Sequence, residues 1–128
     1  MITSSYQQQY LKTKVETASP GDLTLLLYED LYRKLNMAKL HFSKNQETEM
    51  LERIHGARAI FYELLGTLNF DYEIAGQLRD LYQFYLSLLN EFTVNKQPEK
   101  LDYVIEFARG YAETWKQALQ IVKTSKGN

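Results

Sequence analysis

The stretch EMLERIHGARAIFYELLGTL, residues 49–68, decides the fold, because its apolar side chains recur at steps of four and three. This spacing follows the turn of an α-helix, about 3.6 residues, and places those side chains on one face. A stripe sustained over this length is typical of helices that pack in bundles. The stripe comprises Met50, Ile54, Ala57, Phe61, Leu64 and Leu68. The stretch therefore predicts one helix of a helical bundle.

Three other stretches carry the same pattern, and turn residues separate all four. The first begins at Pro20, since a proline fits the first turn of a helix, and extends to about Phe42. The third follows Asp71, which is placed to cap it, and the fourth opens at Pro98. Their stripes comprise Leu27, Leu31, Leu35, Ala38 and Phe42; Ile74, Leu78, Leu81, Tyr85, Leu88 and Phe92; and Leu101, Val104, Ala108, Tyr111, Trp115, Ala118 and Val122.

The pattern predicts an all-α protein, because no stretch shows the sustained period-two alternation of a strand. Short connections between helices of similar length favour antiparallel neighbours. We therefore expect an antiparallel four-helix bundle, with residues 19–126 as its single domain. Residues 1–18 fall outside the stripes and are rich in Ser, Thr and Gln, with Tyr10 and Val15 among the few apolar points. They predict a flexible N-terminal arm.

Composition excludes several classes of function. The 128 residues include no cysteine, which rules out disulfides and thiolate metal sites. The net charge is −1, from 15 basic and 16 acidic residues, and no basic cluster is present, so we expect no nucleic-acid partner. No run of apolar residues is long enough to predict stable membrane insertion. The N-terminus lacks the pattern of a secretion signal, and the sequence therefore predicts a cytoplasmic protein.

The two histidines give no metal or cofactor site. His55 follows Glu52 by three residues, which is half of the paired Glu-x-x-His arrangement of di-iron bundles. The second copy is missing, because Ala38 stands three residues before His41. No residues are arranged as a catalytic triad or a phosphate-binding loop. We therefore expect no metal, no cofactor and no catalytic residues, and the chain is predicted not to be an enzyme.

Two other hypotheses stay open from the residues alone. His55 has Arg58 one turn later, as a phosphoacceptor histidine in a phosphotransfer bundle needs a cation to steady the phosphate. The usual pattern of that family places Lys and Gly three and four residues after the histidine, where this chain has Arg58 and Ala59. The other hypothesis is a structural dimerisation bundle, a homodimer whose apolar surface is covered by its own copy.

Residues 23–28 and 82–89 are apolar almost all round the helix rather than along one stripe. A bundle helix needs an apolar stripe only about 100° wide. No helix is central in a bundle of four, so the surplus predicts an exposed apolar groove. Large exposed apolar patches usually mark partner sites.

Four segments in register resemble the FliS family of flagellar export chaperones. The most extended is YLKTKVETASPGDLTLLLY, residues 10–28, with its Thr-Ala-Ser-Pro signature and an apolar run that ends in Leu-Tyr. The others are TLNFDYEIA at 67–75, Leu-Tyr at 81–82 leading to Lys-Leu-Asp at 100–102, and ETWKQA at 113–118. The resemblance covers about residues 6–118.

The resemblance implies an antiparallel helical bundle and a function in export. FliS proteins bind the disordered C-terminal segment of flagellin in the cytoplasm, prevent its premature polymerisation and keep it competent for flagellar type III secretion. They also present it to an export gate protein at the membrane. By this resemblance, Tyr10 and Val15 form a movable cover over the groove. The groove candidates are Leu23, Leu27, Tyr28, Tyr82, Leu86 and Leu89.

Overall fold

The computed structural model describes residues 20–126, which form four α-helices joined by short connections. Helix α1 is Pro20–Ser43, α2 is Glu47–Gly66, α3 is Glu73–Asn95 and α4 is Pro98–Lys126. No strand occurs in this part of the chain. The predicted all-α fold is therefore confirmed, and the second Pro opens the fourth helix as expected.

The helices form a closed ring in which each one packs against two others. Helix α1 lies against α2 and α4, and α3 lies against the same two helices from the other side. Lys39 near the end of α1 pairs with Asp102 near the start of α4 at 2.7 Å. At the opposite end Lys123 pairs with Asp22 at 3.3 Å. The first and last helices are thus antiparallel neighbours.

We call the two ends of the bundle the upper end and the lower end. The upper end carries the α1–α2 and α3–α4 connections, and the lower end carries the start of α1, the α2–α3 connection and the last third of α4. At the upper end Lys96, just after α3, pairs with Glu47 at the start of α2 at 3.4 Å. Helices α2 and α3 therefore also run antiparallel. Exposed ion pairs of this kind contribute little stability, about 1 kcal/mol at most, so packing must hold the bundle together.

The core is apolar throughout residues 20–126, with no buried charged or polar side chain other than tyrosine. Every residue of the predicted α2 stripe from Met50 to Leu64 is buried. Helix α1 buries three of its five stripe residues and α4 buries three of its seven. The core comprises Tyr28, Leu31, Leu35 and Ala38; Met50, Ile54, Ala57, Ile60, Phe61 and Leu64; Tyr82, Leu86, Leu88, Leu89 and Phe92; and Leu101, Val104, Phe107 and Ala108.

Helix α3 is rotated relative to the stripe predicted for it. Ile74, the first residue of that stripe, is 60% exposed, whereas its neighbour Ala75 is buried. Leu78, Leu81 and Tyr85 are only half-buried against the core. The predicted placement of Ile74 in the core is therefore wrong. Apolar residues surround α3 on more than one face, so periodicity alone does not select the face that packs.

The end of α4 also differs from its predicted stripe. Ala118 and Val122 are exposed rather than packed in the core. Helix α4 has 29 residues, against 24 in α1 and 23 in α3. Its final turns therefore have less helix to pack against, which leaves these two side chains in solvent.

The α2–α3 connection corrects two predicted boundaries. Helix α2 ends at Gly66, so Leu68 belongs to the connection rather than to the helix. The residue that precedes α3 is Tyr72, and its side chain makes no capping hydrogen bond. Asp71 therefore does not cap α3 as predicted. Its backbone N–H instead donates to Oδ1 of Asn69 at 3.0 Å, which closes a local turn.

A left-handed residue closes the α1–α2 connection. Asn45 has a φ of 57°, and its N–H donates to the Phe42 carbonyl at 3.1 Å. Asparagine tolerates this conformation better than most residues, because its short polar side chain costs little there.

We expect Asn45→Ala to lower the free energy of unfolding by about 1 kcal/mol, since an alanine Cβ is strained at positive φ. Asn45→Gly removes the Cβ altogether and should leave stability unchanged or slightly raised. Urea denaturation followed by circular dichroism measures both, with Lys44→Ala as the exposed neighbouring control. Equal stability of the alanine and glycine variants would contradict the prediction.

Candidate partner-binding pocket

An apolar pocket of about 280 Å³ lies at the lower end of the bundle. Three separate parts of the chain form it: the start of α1, the α2–α3 connection together with the first half of α3, and Trp115 in the second half of α4. None of the described residues that line it is basic or acidic. We call it the lower pocket, and it is lined by Leu23, Thr24, Thr67, Leu68, Asn69, Tyr72, Ile74, Ala75, Leu78, Tyr82 and Trp115.

One wall of the pocket forms because a hydrogen bond joins the start of α1 to α4. The indole N–H of Trp115 donates to the Gly21 carbonyl at 2.9 Å. A Cβ at Gly21 would lie 2.7 Å from Cδ2 of Leu119, so the glycine allows the two helices to approach this closely. Because α1 is held at this point, Leu23 is fixed at the edge of the lower pocket beside Trp115.

The opposite wall is the α2–α3 connection, which a series of local hydrogen bonds shapes. The Thr67 hydroxyl donates to the Leu64 carbonyl at 2.7 Å, and the Tyr72 N–H donates to the Asn69 carbonyl at 3.1 Å. The resulting turn packs Leu68 against the core and leaves Tyr72 66% exposed at the pocket rim. Two sides of the pocket are therefore preformed.

Aromatic rings pack together beneath the pocket. The ring of Tyr28 lies 6.5 Å from that of Tyr82, 6.4 Å from Phe107, 5.9 Å from Tyr111 and 6.4 Å from Trp115. Tilted and edge-to-face pairs at these distances are favourable beyond the area they bury. The rings are rigid, so the pocket loses little conformational entropy when it is occupied.

The hydroxyls of Tyr28 and Tyr82 form a buried hydrogen bond that joins α1 to α3. Burial raises the pKa of both hydroxyls. Tyr82 adds to the upward shift of the Tyr28 pKa, whereas the hydrogen bond with Tyr28 opposes the upward shift of the Tyr82 pKa without reversing it. Both groups therefore stay protonated and neutral at physiological pH. Among residues 20–126, this hydrogen bond is the one polar contact between buried side chains in the apolar interior.

Apolar side chains continue from the lower pocket along α3. The spacing of Ile74, Leu78, Leu81 and Tyr85 places them on one face, and each is exposed or half-buried. The Tyr85 ring stacks on that of Phe107 in α4 at 4.1 Å. Phe84, 53% exposed, packs edge-on against Tyr85 at 5.1 Å. We call Ile74, Leu78, Leu81, Phe84 and Tyr85 the α3 track; it extends the apolar surface beyond the pocket.

The groove residues predicted from the sequence occupy different places in the structure: some line the lower pocket, and others are buried in the core. Leu23 lines the lower pocket, and Leu27 is half-buried against the core. Tyr82 is 2% exposed, yet it also lines the pocket. Tyr10 and Val15 lie outside the described residues. Three of the assigned residues are buried in the core and do not line the pocket: Tyr28, Leu86 and Leu89.

Several pocket residues were assigned by sequence to the core or to no role. Trp115 is half-buried and lines the pocket, although its stripe predicts core packing. Ile74 and Leu78 were placed in the α3 stripe and instead border the cavity. The sequence contains one indication that the α2–α3 connection belongs to the site. The connection includes Phe70 and Tyr72, and aromatic residues in a turn between helices pack poorly into the core.

His55 lies on an exposed surface of α2, far along the helix from the lower pocket. Its Nδ1 is 3.0 Å from a guanidinium nitrogen of Arg58. Arg58 also donates to Oδ1 of Asn90 at 3.0 Å and to the Thr93 hydroxyl at 3.1 Å, so it ties α2 to α3. Within residues 20–126 no group of three His, Asp or Glu side chains is placed to hold a metal ion. In the same range, none of the helices is both long enough and apolar enough to cross a membrane.

The chain is similar to known proteins over nearly its whole length. A family model described as "Flagellar protein FliS" matches residues 2–122, a range that includes every residue lining the lower pocket. The Flagellar secretion chaperone FliS of Bacillus subtilis (strain 168) is 27% identical over 111 residues, which are 87% of this chain and 84% of that protein.

The Flagellar secretion chaperone FliS of Campylobacter jejuni subsp. jejuni serotype O:6 (strain 81116 / NCTC 11828) is 26% identical to the chain over 110 residues. These residues are 84% of this chain and 86% of that protein. The similarity therefore extends to most of each relative and is not confined to a shared segment.

Proposed function

The chain belongs to the FliS family of flagellar secretion chaperones, and from this membership we propose that it binds the C-terminal segment of a flagellin before export. In this proposal the chaperone acts in the cytoplasm, prevents premature polymerisation of its client and keeps it competent for flagellar type III secretion. An export gate protein then receives the client. The family is one of chaperones, not of enzymes.

The observation that carries the proposal is the preformed lower pocket and its continuation along the α3 track. A disordered client loses conformational entropy when it orders, a cost of about 2–5 kcal/mol or more, so it needs an extended apolar contact surface. The pocket and the track supply such a surface on rigid helices. An amphipathic client segment would place its apolar side chains there and keep its polar face in water.

The N-terminal arm enters the proposal as a cover for this surface. The described chain begins at residue 20, three residues before Leu23 at the pocket edge. Val15 is five residues earlier, and an extended chain of that length spans about 17 Å. The proposed role of Val15 and Tyr10 is to cover the lower pocket and exclude water from it until a client displaces them.

Calorimetry with a client peptide tests the proposed function. We expect a peptide of about the last 40 residues of the flagellin encoded in the same genome to bind one-to-one with a negative heat-capacity change, because apolar surface is buried. A peptide of the same composition in scrambled order is the control. Absence of binding to the folded protein would overturn the flagellin assignment.

Two other hypotheses came from the sequence, a phosphotransfer module at His55 and a homodimer. Phosphotransfer at His55 is not favoured, because the chain belongs to a chaperone family. The homodimer stays a prediction. The molar mass of the protein without a client, measured across a range of concentrations, distinguishes a monomer from a dimer.

A further inference from the structure

Among residues 20–126, the Tyr28–Tyr82 pair leaves one hydroxyl hydrogen without an acceptor. Tyr28 is 1% exposed and Tyr82 is 2% exposed, and each hydroxyl has the other as its hydrogen-bond partner within residues 20–126. Every tyrosine hydroxyl carries one hydrogen, and a single bond between two of them uses only one. A buried donor left without an acceptor is unfavourable, so the second hydrogen needs a partner that residues 20–126 do not supply.

The surroundings indicate which hydroxyl keeps the free hydrogen. The Tyr28 ring packs against the rings of Phe107, Tyr111 and Trp115, and Tyr28 is not among the described residues that line the lower pocket. Tyr82, by contrast, lines the lower pocket, where water or an occupant can supply an oxygen. If Tyr28 donates to Tyr82, the second hydrogen is on the hydroxyl of the residue that lines the pocket. The opposite direction would leave it among aromatic rings.

We propose that the Tyr82 hydroxyl, held in place by Tyr28, donates a hydrogen bond to the occupant of the lower pocket, so that the pocket selects a client segment with an uncharged oxygen acceptor among its apolar residues. This inference rests on the proposed function. The side-chain amide of Asn or Gln has the required chemistry, since its oxygen accepts and its NH2 group donates.

The lining of the pocket favours an amide over a carboxylate. No Lys, Arg or His is among the lining residues that the structure describes, so these residues would give a carboxylate no counter-charge for the hydration it loses. Side-chain oxygens that can accept from an amide NH2 are also present in the lining. They belong to Thr24, Thr67, Asn69, Tyr72 and Tyr82. Because burial raises the pKa of Tyr82, the donor is present throughout the physiological pH range.

Paired substitutions in the chaperone and in the client peptide test the inference. Each Asn and Gln of the flagellin peptide is replaced in turn, Asn by Leu and Gln by Met, and affinities are measured by calorimetry. With the unmodified chaperone we expect the replacement at one position of the peptide to lower its affinity about tenfold, because the Tyr82 donor is then buried without an acceptor. Replacement of the same side chain by the matching acid, Asp or Glu, should weaken binding at least as much.

Three chaperone variants then identify the donor. Tyr28→Phe leaves the Tyr82 hydroxyl at the pocket and should keep the tenfold preference for the amide. Tyr82→Phe should reduce that preference to less than about twofold. The double variant Tyr28→Phe with Tyr82→Phe should do the same, and it leaves no hydroxyl unpaired, so its fold is protected if Tyr82→Phe alone is unstable.

The outcomes separate the inference from the proposed function. If Tyr82→Phe and the double variant bind the peptide with the same dependence on Asn and Gln as the unmodified protein, flagellin binding stands and the Tyr82 donor is overturned. Loss of the amide preference in Tyr28→Phe but not in Tyr82→Phe would overturn it too. If the unmodified protein binds no flagellin peptide, the proposed function fails and the inference fails with it.

Discussion

Replacement of Phe61 by alanine is expected to lower the free energy of unfolding by about 3–5 kcal/mol, a large part of the stability of a domain this size. The Phe61 side chain is fully buried. Its ring stacks on that of Phe107 at 6.0 Å and packs edge-on against Tyr82 at 6.2 Å. The substitution removes these contacts and leaves a cavity where α2, α3 and α4 meet.

The adjacent residue supplies a matched control. Tyr62 is aromatic, belongs to the same helix and is 62% exposed. Tyr62→Ala should change stability by no more than about 0.5 kcal/mol. Chemical denaturation followed by far-UV circular dichroism measures both variants. Similar losses for the two would mean that α2 presents a different face to the core.

Replacement of Ile74 by aspartate should lower the affinity for the flagellin peptide by about 30-fold or more, without loss of the fold. Ile74 is 60% exposed, lines the lower pocket and begins the α3 track. A bound apolar segment would bury the new carboxylate without a counter-charge. Central apolar contacts of this kind commonly contribute 2 kcal/mol or more, which is about 30-fold. An acidic residue in the first turn of a helix is favourable, so α3 itself should not be weakened.

Val94→Asp is the control for this prediction. Val94 is 79% exposed and lies on the same helix, but at the upper end of the bundle. The Val94→Asp variant should bind the peptide with less than about a threefold loss of affinity, because a single exposed charge remote from a contact contributes little. Thermal unfolding of both variants confirms that they are folded. Equal affinities of the two variants would remove the lower pocket from the binding site.

The sequence predicts the fold well where one face of a helix is polar. Helix α2 has charged residues such as Glu52, Arg53 and Glu63 opposite its stripe, so the buried face is unambiguous. Helix α3 has Phe84, Tyr85, Leu86, Leu88 and Leu89 around its circumference. Only contacts with α2 and α4 determine which of these is buried, and such contacts are not encoded in the spacing.

The residues of the binding site stay a prediction, and the spacing leaves them open for a related reason. An apolar surplus does not distinguish residues of an exposed apolar surface from those of the core. Tyr28 and Tyr82 were assigned to a groove, whereas burial with paired hydroxyls across 54 residues of sequence is a tertiary feature. The lower pocket combines three distant parts of the chain, so no single motif contains it.

The contact between Trp115 and Gly21 has a consequence for how the protein is made. This hydrogen bond joins residues 94 positions apart, and the first helix packs against the last. Synthesis begins at the N-terminus, so α1 leaves the ribosome well before its partner α4 exists. The lower pocket is completed only when the final helix has emerged and docked. A chain interrupted before Trp115 would contain most of the apolar surface without the wall that shapes it, and would be prone to aggregate rather than to hold a client.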